Sequence, residues 1–313
     1  MYLVILGHAC AGKDYLRLPF NFVYSFHMPL MFFLSGYLLH SLWKAKYKKE
    51  NKALFLGKKA LSLLLPYLSW TILMPWIFSG FSLVELKADL LTATGLYGEG
   101  LWFLPVLFGL YAAYVLFDAL EALFHRTDSI LFDAICYSIV ELLLLLLAIC
   151  TRYPYITNMV SYSIPFFAGV ILKKHPAIEK CVTNHYLIPI YAIAYGILFQ
   201  FFDFTAPNSF TQLLRILLAF FVIGILWSVC KKDGSYSNPF AKALLLCGKY
   251  SLAIYLVPTI FTRWFSLLTQ TESLAAGLLA AIFGTAVTCG ICVLLGMLIS
   301  RIRPLNFILY GKY

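Results

Sequence analysis

Apolar residues along this chain come in long runs, and the basic residues cluster between them. An apolar helix needs about 20 residues to cross the roughly 30 Å hydrocarbon layer of a bilayer. Ten runs qualify as candidates, at roughly 1–11, 20–41, 60–79, 101–117, 131–151, 156–172, 186–202, 211–230, 250–269 and 274–300. The pattern predicts an all-α, polytopic bundle of about ten transmembrane helices, forming a single membrane-embedded domain over 1–313. The first run is anomalous. Eleven residues at 1.5 Å rise make about 16 Å, half a span, so the first helix reads as truncated with its start expected upstream of Met1.

Composition agrees with the pattern. Of 313 residues 62% are hydrophobic and 12% charged, and the mean hydropathy is +0.84. A soluble domain carries about 25% charge. The net charge of +10 suggests nucleic-acid binding until the positions are read, because the basic residues flank apolar runs. With the N-terminus placed in the cytoplasm, only Lys13, Arg17, Lys87, Arg152, Arg215 and Arg263 of the 24 fall on outer segments. That bias fits the positive-inside rule, and ten spans would return the C-terminus to the cytoplasm. Trp43 and Trp227 then fall near the inner interface, and Trp76, Trp102 and Trp264 near the outer one. Two connections are long, a Lys-rich inner loop at 42–59 and an outer segment from Gly80 to Gly100 that is expected to fold over the outer face. The eight cysteines lack metal-ligand spacing, and Cys289 and Cys292 read as packing thiols inside an uncharged run. No metal is expected.

Chemistry is concentrated in a few ionisable groups inside apolar runs, which are costly there and usually face a cavity, a partner or a substrate path. His27 sits within SFHMPLMFFLSGYLL, and His8 ends YLVILGH. A short polar loop joins the two runs, so they can form a hairpin. On the expected topology His8 lies some 6 Å and His27 some 10 Å below the outer interface. A histidine titrating near neutrality suits a general base acting on a hydroxyl; the plainer alternative is a packing histidine bonded across the bundle. Glu141, in SIVELLLLLLAIC, either orients a histidine, lines a path, or is a protonated structural hydrogen-bond donor. Lys58 and Lys59 precede ALSLLLPYLSW and are either phosphate-binding point charges or positive-inside anchors. Pro29, Pro66, Pro75, Pro105, Pro165, Pro189 and Pro258 all fall within spans, where breaks free backbone carbonyls and shape cavities. Ser35-Gly36 reads as a site of close helix packing.

These segments resemble the acyltransferase-3 family of integral membrane acyltransferases, among them O-acetylases of bacterial surface sugars. LVILGH resembles the end of the family's first helix and FHMPLMFFLSGYLL its second. GKKALSLLLPYLSW is similar to the start of the third, and LWFLPVLF, IPFFAGVILKK and GKYSLAIYLVP to later landmarks. The resemblance implies a transferase of acyl groups other than amino-acyl groups, in a bacterial plasma membrane. It implies His8 as the catalytic histidine, cytosolic acyl-CoA (commonly acetyl-CoA) as donor substrate and a carbohydrate hydroxyl outside as acceptor. On that basis His27 and Glu141 are expected to support substrate or catalysis, and Lys58 and Lys59 to meet the CoA phosphates. Two departures stand out. The family's arginine about ten residues before the histidine would lie upstream of Met1, and its later motif continues here as Val257-Pro258 instead of with a histidine. The alternatives are a proton-coupled transporter or exporter and an inactive relative.

Overall fold

The computed structural model describes residues 1–43, 51–79, 101–124, 129–205, 208–232, 239–258 and 273–312. Every regular element among them is helical: α1 (Tyr2–Cys10), α2 (Arg17–Tyr24), α3 (His27–Leu42), α4 (Lys52–Ser79), α5 (Phe103–Leu123), α6 (Ile130–Thr151), α7 (Pro154–Lys174), α8 (Pro176–Val182), α9 (Ile188–Phe199), α10 (Ser209–Lys232), α11 (Pro239–Lys249), α12 (Ser251–Leu256), α13 (Leu274–Ser300) and α14 (Arg303–Tyr310). Six stretches among the described residues are long and apolar enough to cross a membrane: Asp14–Leu42, Phe103–Leu123, Ile130–Thr151, Pro154–Lys174, Phe210–Cys230 and Leu274–Ser300. A seventh is the pair Pro176–Val182 and His185–Phe199, bent by 42° at its break. The expected outer segment at 80–100, the lysines at 44–49, the side chains of Trp76 and Trp264, and the second half of the 250–269 run lie outside the described residues.

Four expected spans take a different form, the 60–79 run lying within α4, which is not among these apolar stretches. The first run folds only as nine-residue α1. The 186–202 run becomes the second arm of the bent pair. The 20–41 run begins earlier, at Asp14, and is interrupted at Ser25–Phe26 between α2 and α3. Pro29 accounts for that interruption: it has no N–H to offer residue 25, and its ring crowds the carbonyl one turn back.

The chain groups into two compact units, Met1–Leu30 with Lys180–Arg303 and Met31–Glu179 with Pro304–Tyr313. In the first, α1 packs on α2 and α13, and α9 packs on α10. In the second, α5 packs against α4, α6 and α7. There α3 crosses α7 at glycines from both sides. A Cβ on Gly36 would lie 2.0 Å from the Phe166 carbonyl oxygen, and one on Gly169 would lie 2.1 Å from that of Phe33. Only hydrogen fits at either crossing, so the small residue in the Ser35-Gly36 pair does serve close packing.

The second unit also buries a closed ionic cluster. Lys174 at the end of α7 reaches Glu121 of α5 and, at 2.6 Å, Asp133 of α6; His175 Nε2 donates to the other Asp133 oxygen at 2.6 Å. Asp133 is fully buried, and the Lys174 side chain is 4% exposed. The cluster ties α5, α6 and α7 together. Nearby, His40 Nδ1 bonds the Tyr114 hydroxyl at 2.9 Å, and the Trp43 indole donates to Asp118 at 2.8 Å.

Candidate functional site

The break before His27 is the chemical centre of the first unit. In an unbroken helix the carbonyls of Phe22, Val23 and Tyr24 would each accept the backbone N–H four residues on. Here side chains reach all three, and the Val23 carbonyl also accepts the Phe26 N–H at 3.4 Å. Ser25 Oγ donates to the Phe22 carbonyl at 2.7 Å, His27 Nδ1 to that of Val23 at 2.9 Å, and Arg215 Nε to that of Tyr24 at 2.9 Å. A carbonyl only accepts, so His27 carries a proton on Nδ1, and in the neutral ring the lone pair lies on Nε2 at the opposite edge. The ring is buried, 4% exposed, with Tyr24 edge-on at 4.7 Å. The Tyr195 hydroxyl donates to Ser25 Oγ at 2.9 Å and secures the turn from α9.

His8 belongs to the same unit, on α1. Gly7 beside it lets α1 approach α2, since a Cβ there would lie 2.8 Å from the Tyr24 ring. Gly7, Ala9 and Cys10 are buried, whereas His8 is exposed. The two predicted histidines lie in the same unit, His27 anchored and His8 accessible.

A staple from the 200–205 turn holds the other end of α2. Arg17 pairs with Asp203, the Asn21 amide donates to Asp203 at 3.3 Å, and the Phe204 N–H donates to Asn21 Oδ1 at 3.1 Å. Hydrogen bonds from Thr205, then from Arg17, hold the Asp203 carboxyl well below the ordinary aspartate range. Phe204 in turn packs at a tilt against Tyr24 at 4.6 Å and lies 5.1 Å from the Arg215 guanidinium.

The remaining predicted residues lie in the second unit. Glu141 accepts a 2.5 Å hydrogen bond from Ser163 Oγ across the α6–α7 contact, with Tyr137 at the same serine, so its described partners are hydroxyls and not a histidine. Lys58 and Lys59 point differently: Lys58 is exposed, while Lys59 lies over the rings of Phe55 and Tyr111 at 5.7 and 5.1 Å.

Sequence reasoning passed over Ser25 and Arg215 and read Pro29 as one span proline among seven. Arg215, counted with the outer segments, is a buried member of α10 inside a candidate span. An arginine within QLLRILLAFF was a readable signal; its target, the Tyr24 carbonyl on another helix, was not.

No curated protein and no solved structure matches the chain. A family model described as an acyltransferase domain matches residues 1–297, from α1 almost to the end of α13. The chain belongs to the acyltransferase-3 family and is a multi-pass membrane acyltransferase.

Proposed function

We propose that the protein transfers an acyl group, acetyl in the first instance, from cytosolic acyl-CoA to a sugar hydroxyl outside the cell. The observation that carries this reading is the pair of imidazoles on the broken hairpin, His8 accessible and His27 anchored through Nδ1. His8 takes the proton of the acceptor hydroxyl as its oxygen attacks the thioester carbonyl. The new C–O bond forms, the C–S bond breaks, and the proton passes from His8 to the departing thiolate, so the transfer balances without another reactant. His27 Nε2 can only accept, so it holds the attacking hydroxyl or its neighbour on the sugar ring. Lys58 meets the CoA phosphates as a point charge.

The test is transfer of labelled acetyl from acetyl-CoA to a panel of sugars by the purified protein in vesicles. His8→Ala is expected to lower transfer by about 10²–10⁴-fold, the usual contribution of a general base, while the protein stays in the membrane. Undiminished transfer would remove His8 from the mechanism. Acetyl-CoA is also expected to raise the unfolding midpoint, as a ligand of the native state does.

A further inference from the structure

We propose that α14 lies on the bilayer surface where α13 emerges, and gathers anionic lipid headgroups through Arg301 and Arg303. This lipid site stands apart from the acyl-transfer reading and does not need it.

The sequence sets the place of the helix. α13 runs for 27 residues, about 40 Å at 1.5 Å each, against roughly 30 Å of hydrocarbon. Its end therefore reaches the headgroup layer. Pro304 then stops it, having no N–H for the Ser300 carbonyl and a ring that crowds the turn before. The Arg301 and Ile302 N–H groups close that end on the Leu298 and Ile299 carbonyls at 3.1 and 3.0 Å. The same proline, second in α14, suits the first turn of a new helix. Because α14 begins at Arg303, three residues after Ser300, it starts in the same layer.

Only one side of α14 is covered by protein. The Trp70 indole donates to the Leu309 carbonyl at 2.9 Å, and its ring stacks on buried Tyr310. Beyond the helix, Gly311 has a φ of +60°, and a Cβ there would lie 2.6 Å from Ser62 Cα. These contacts fasten the end of α14 to α4. Leu305 and Ile308, three apart and so on one face, are exposed, as is Ile302 just before the helix.

The charges fit one occupant for that face. Arg301 and Arg303 are exposed, and among the described residues no carboxylate pairs with either. From Ser273 to Tyr313 the sequence has no Asp or Glu, so this stretch offers the two arginines no anion of its own. Exposed apolar side chains beside unpaired cations are the pattern of a helix seated at the boundary of headgroups and acyl chains. The guanidinium fork matches a headgroup phosphate, and its long stem lets the charge rise to it. A second copy packed here about a two-fold axis would instead set like cations against one another.

The test uses full-length protein with the photo-reactive amino acid benzoylphenylalanine in place of Leu305. The protein is held in nanodiscs of equal phosphatidylcholine and phosphatidylglycerol, with one or the other lipid radiolabelled. Illumination is expected to attach phosphatidylglycerol in preference by about 30-fold, the two arginines giving about fivefold each. The pair Arg301→Gln and Arg303→Gln should bring the ratio close to one, whereas Arg301→Lys with Arg303→Lys should keep most of it. Equal attachment of both lipids to the wild-type arginines, or an undiminished preference in the glutamine pair, would overturn the proposal. Attachment to a second protein chain would replace lipid with a copy of this chain as the occupant. Loss of the preference in inorganic phosphate, but not in chloride of equal ionic strength, would make free phosphate the ligand and sink the lipid site. Should the glutamine pair fail to reach the membrane, the single variants decide: each should lose about fivefold, and full preference in both rejects the site.

Discussion

Lys174 and Arg215 are both basic side chains buried in apolar helices, one in each unit, and their surroundings differ in kind. Lys174 faces two carboxylates, Glu121 and Asp133, with His175 completing the second of these. Arg215 bonds a backbone carbonyl and lies on an aromatic ring. In the first group, cation and anions satisfy one another and fasten three helices together. In the second, the cation bonds the end of α2, and the His27 ring beyond it is anchored by one nitrogen. A polar group that ends in matched charges is structural; one that ends in an uncommitted lone pair has chemistry left to do.

The sharpest way to break this contrast is to remove Lys174. Lys174→Met leaves Glu121 and Asp133 buried without their cation, and loss of one partner from such a group costs about 3–5 kcal/mol. The expected outcome is a large fall in the unfolding midpoint of the purified protein, with little change in turnover per folded molecule. An unchanged midpoint would mean that the cluster does not hold α5, α6 and α7 together.

His27→Asn tests the other side with a smaller effect. The asparagine amide can still donate to the Val23 carbonyl, so the midpoint is expected to stay near that of wild type. It cannot reproduce the Nε2 lone pair, and KM for the sugar should rise about tenfold, the worth of one ordinary hydrogen bond. A collapse in stability with unchanged kinetics would instead place His27 with Lys174 among the structural groups.

Much of this was legible in the sequence because membrane helices announce themselves by composition. The long runs became helices close to their expected bounds, as in Ile130–Thr151 and Leu274–Ser300, since no other structure satisfies the backbone in lipid. The two histidines stood out for the same reason, being costly in apolar surroundings. What the sequence hid is pairing at a distance. Glu141 looked unpartnered because Ser163 is 22 residues away on the next helix, and Lys174 gave no sign of Glu121 and Asp133. Pro29 was visible, but the bond from Arg215 to the Tyr24 carbonyl arrives from α10, nearly two hundred positions later.

The smallest expected effect concerns the exposed staple that seats Phe204 beneath Arg215. Hydrogen bonds from Thr205 and Arg17 depress the Asp203 pKa in the folded protein. A carboxyl whose folded pKa lies below its unfolded value adds stability above the unfolded pKa, near 3.9, and loses it as pH falls through the folded value. The wild-type midpoint should therefore exceed that of Asp203→Asn at neutral pH, with the gap constant down to about pH 5 and closing below about pH 4. Arg17 is more than half exposed, so the gap itself should be slight and should shrink further in high salt. A gap unchanged at acid pH would show that the staple works through the Asn21–Phe204 backbone bond alone. In that case Arg215 would be seated by the shape of the turn and not by the charge of Asp203, and its hold on the Tyr24 carbonyl would be insensitive to pH.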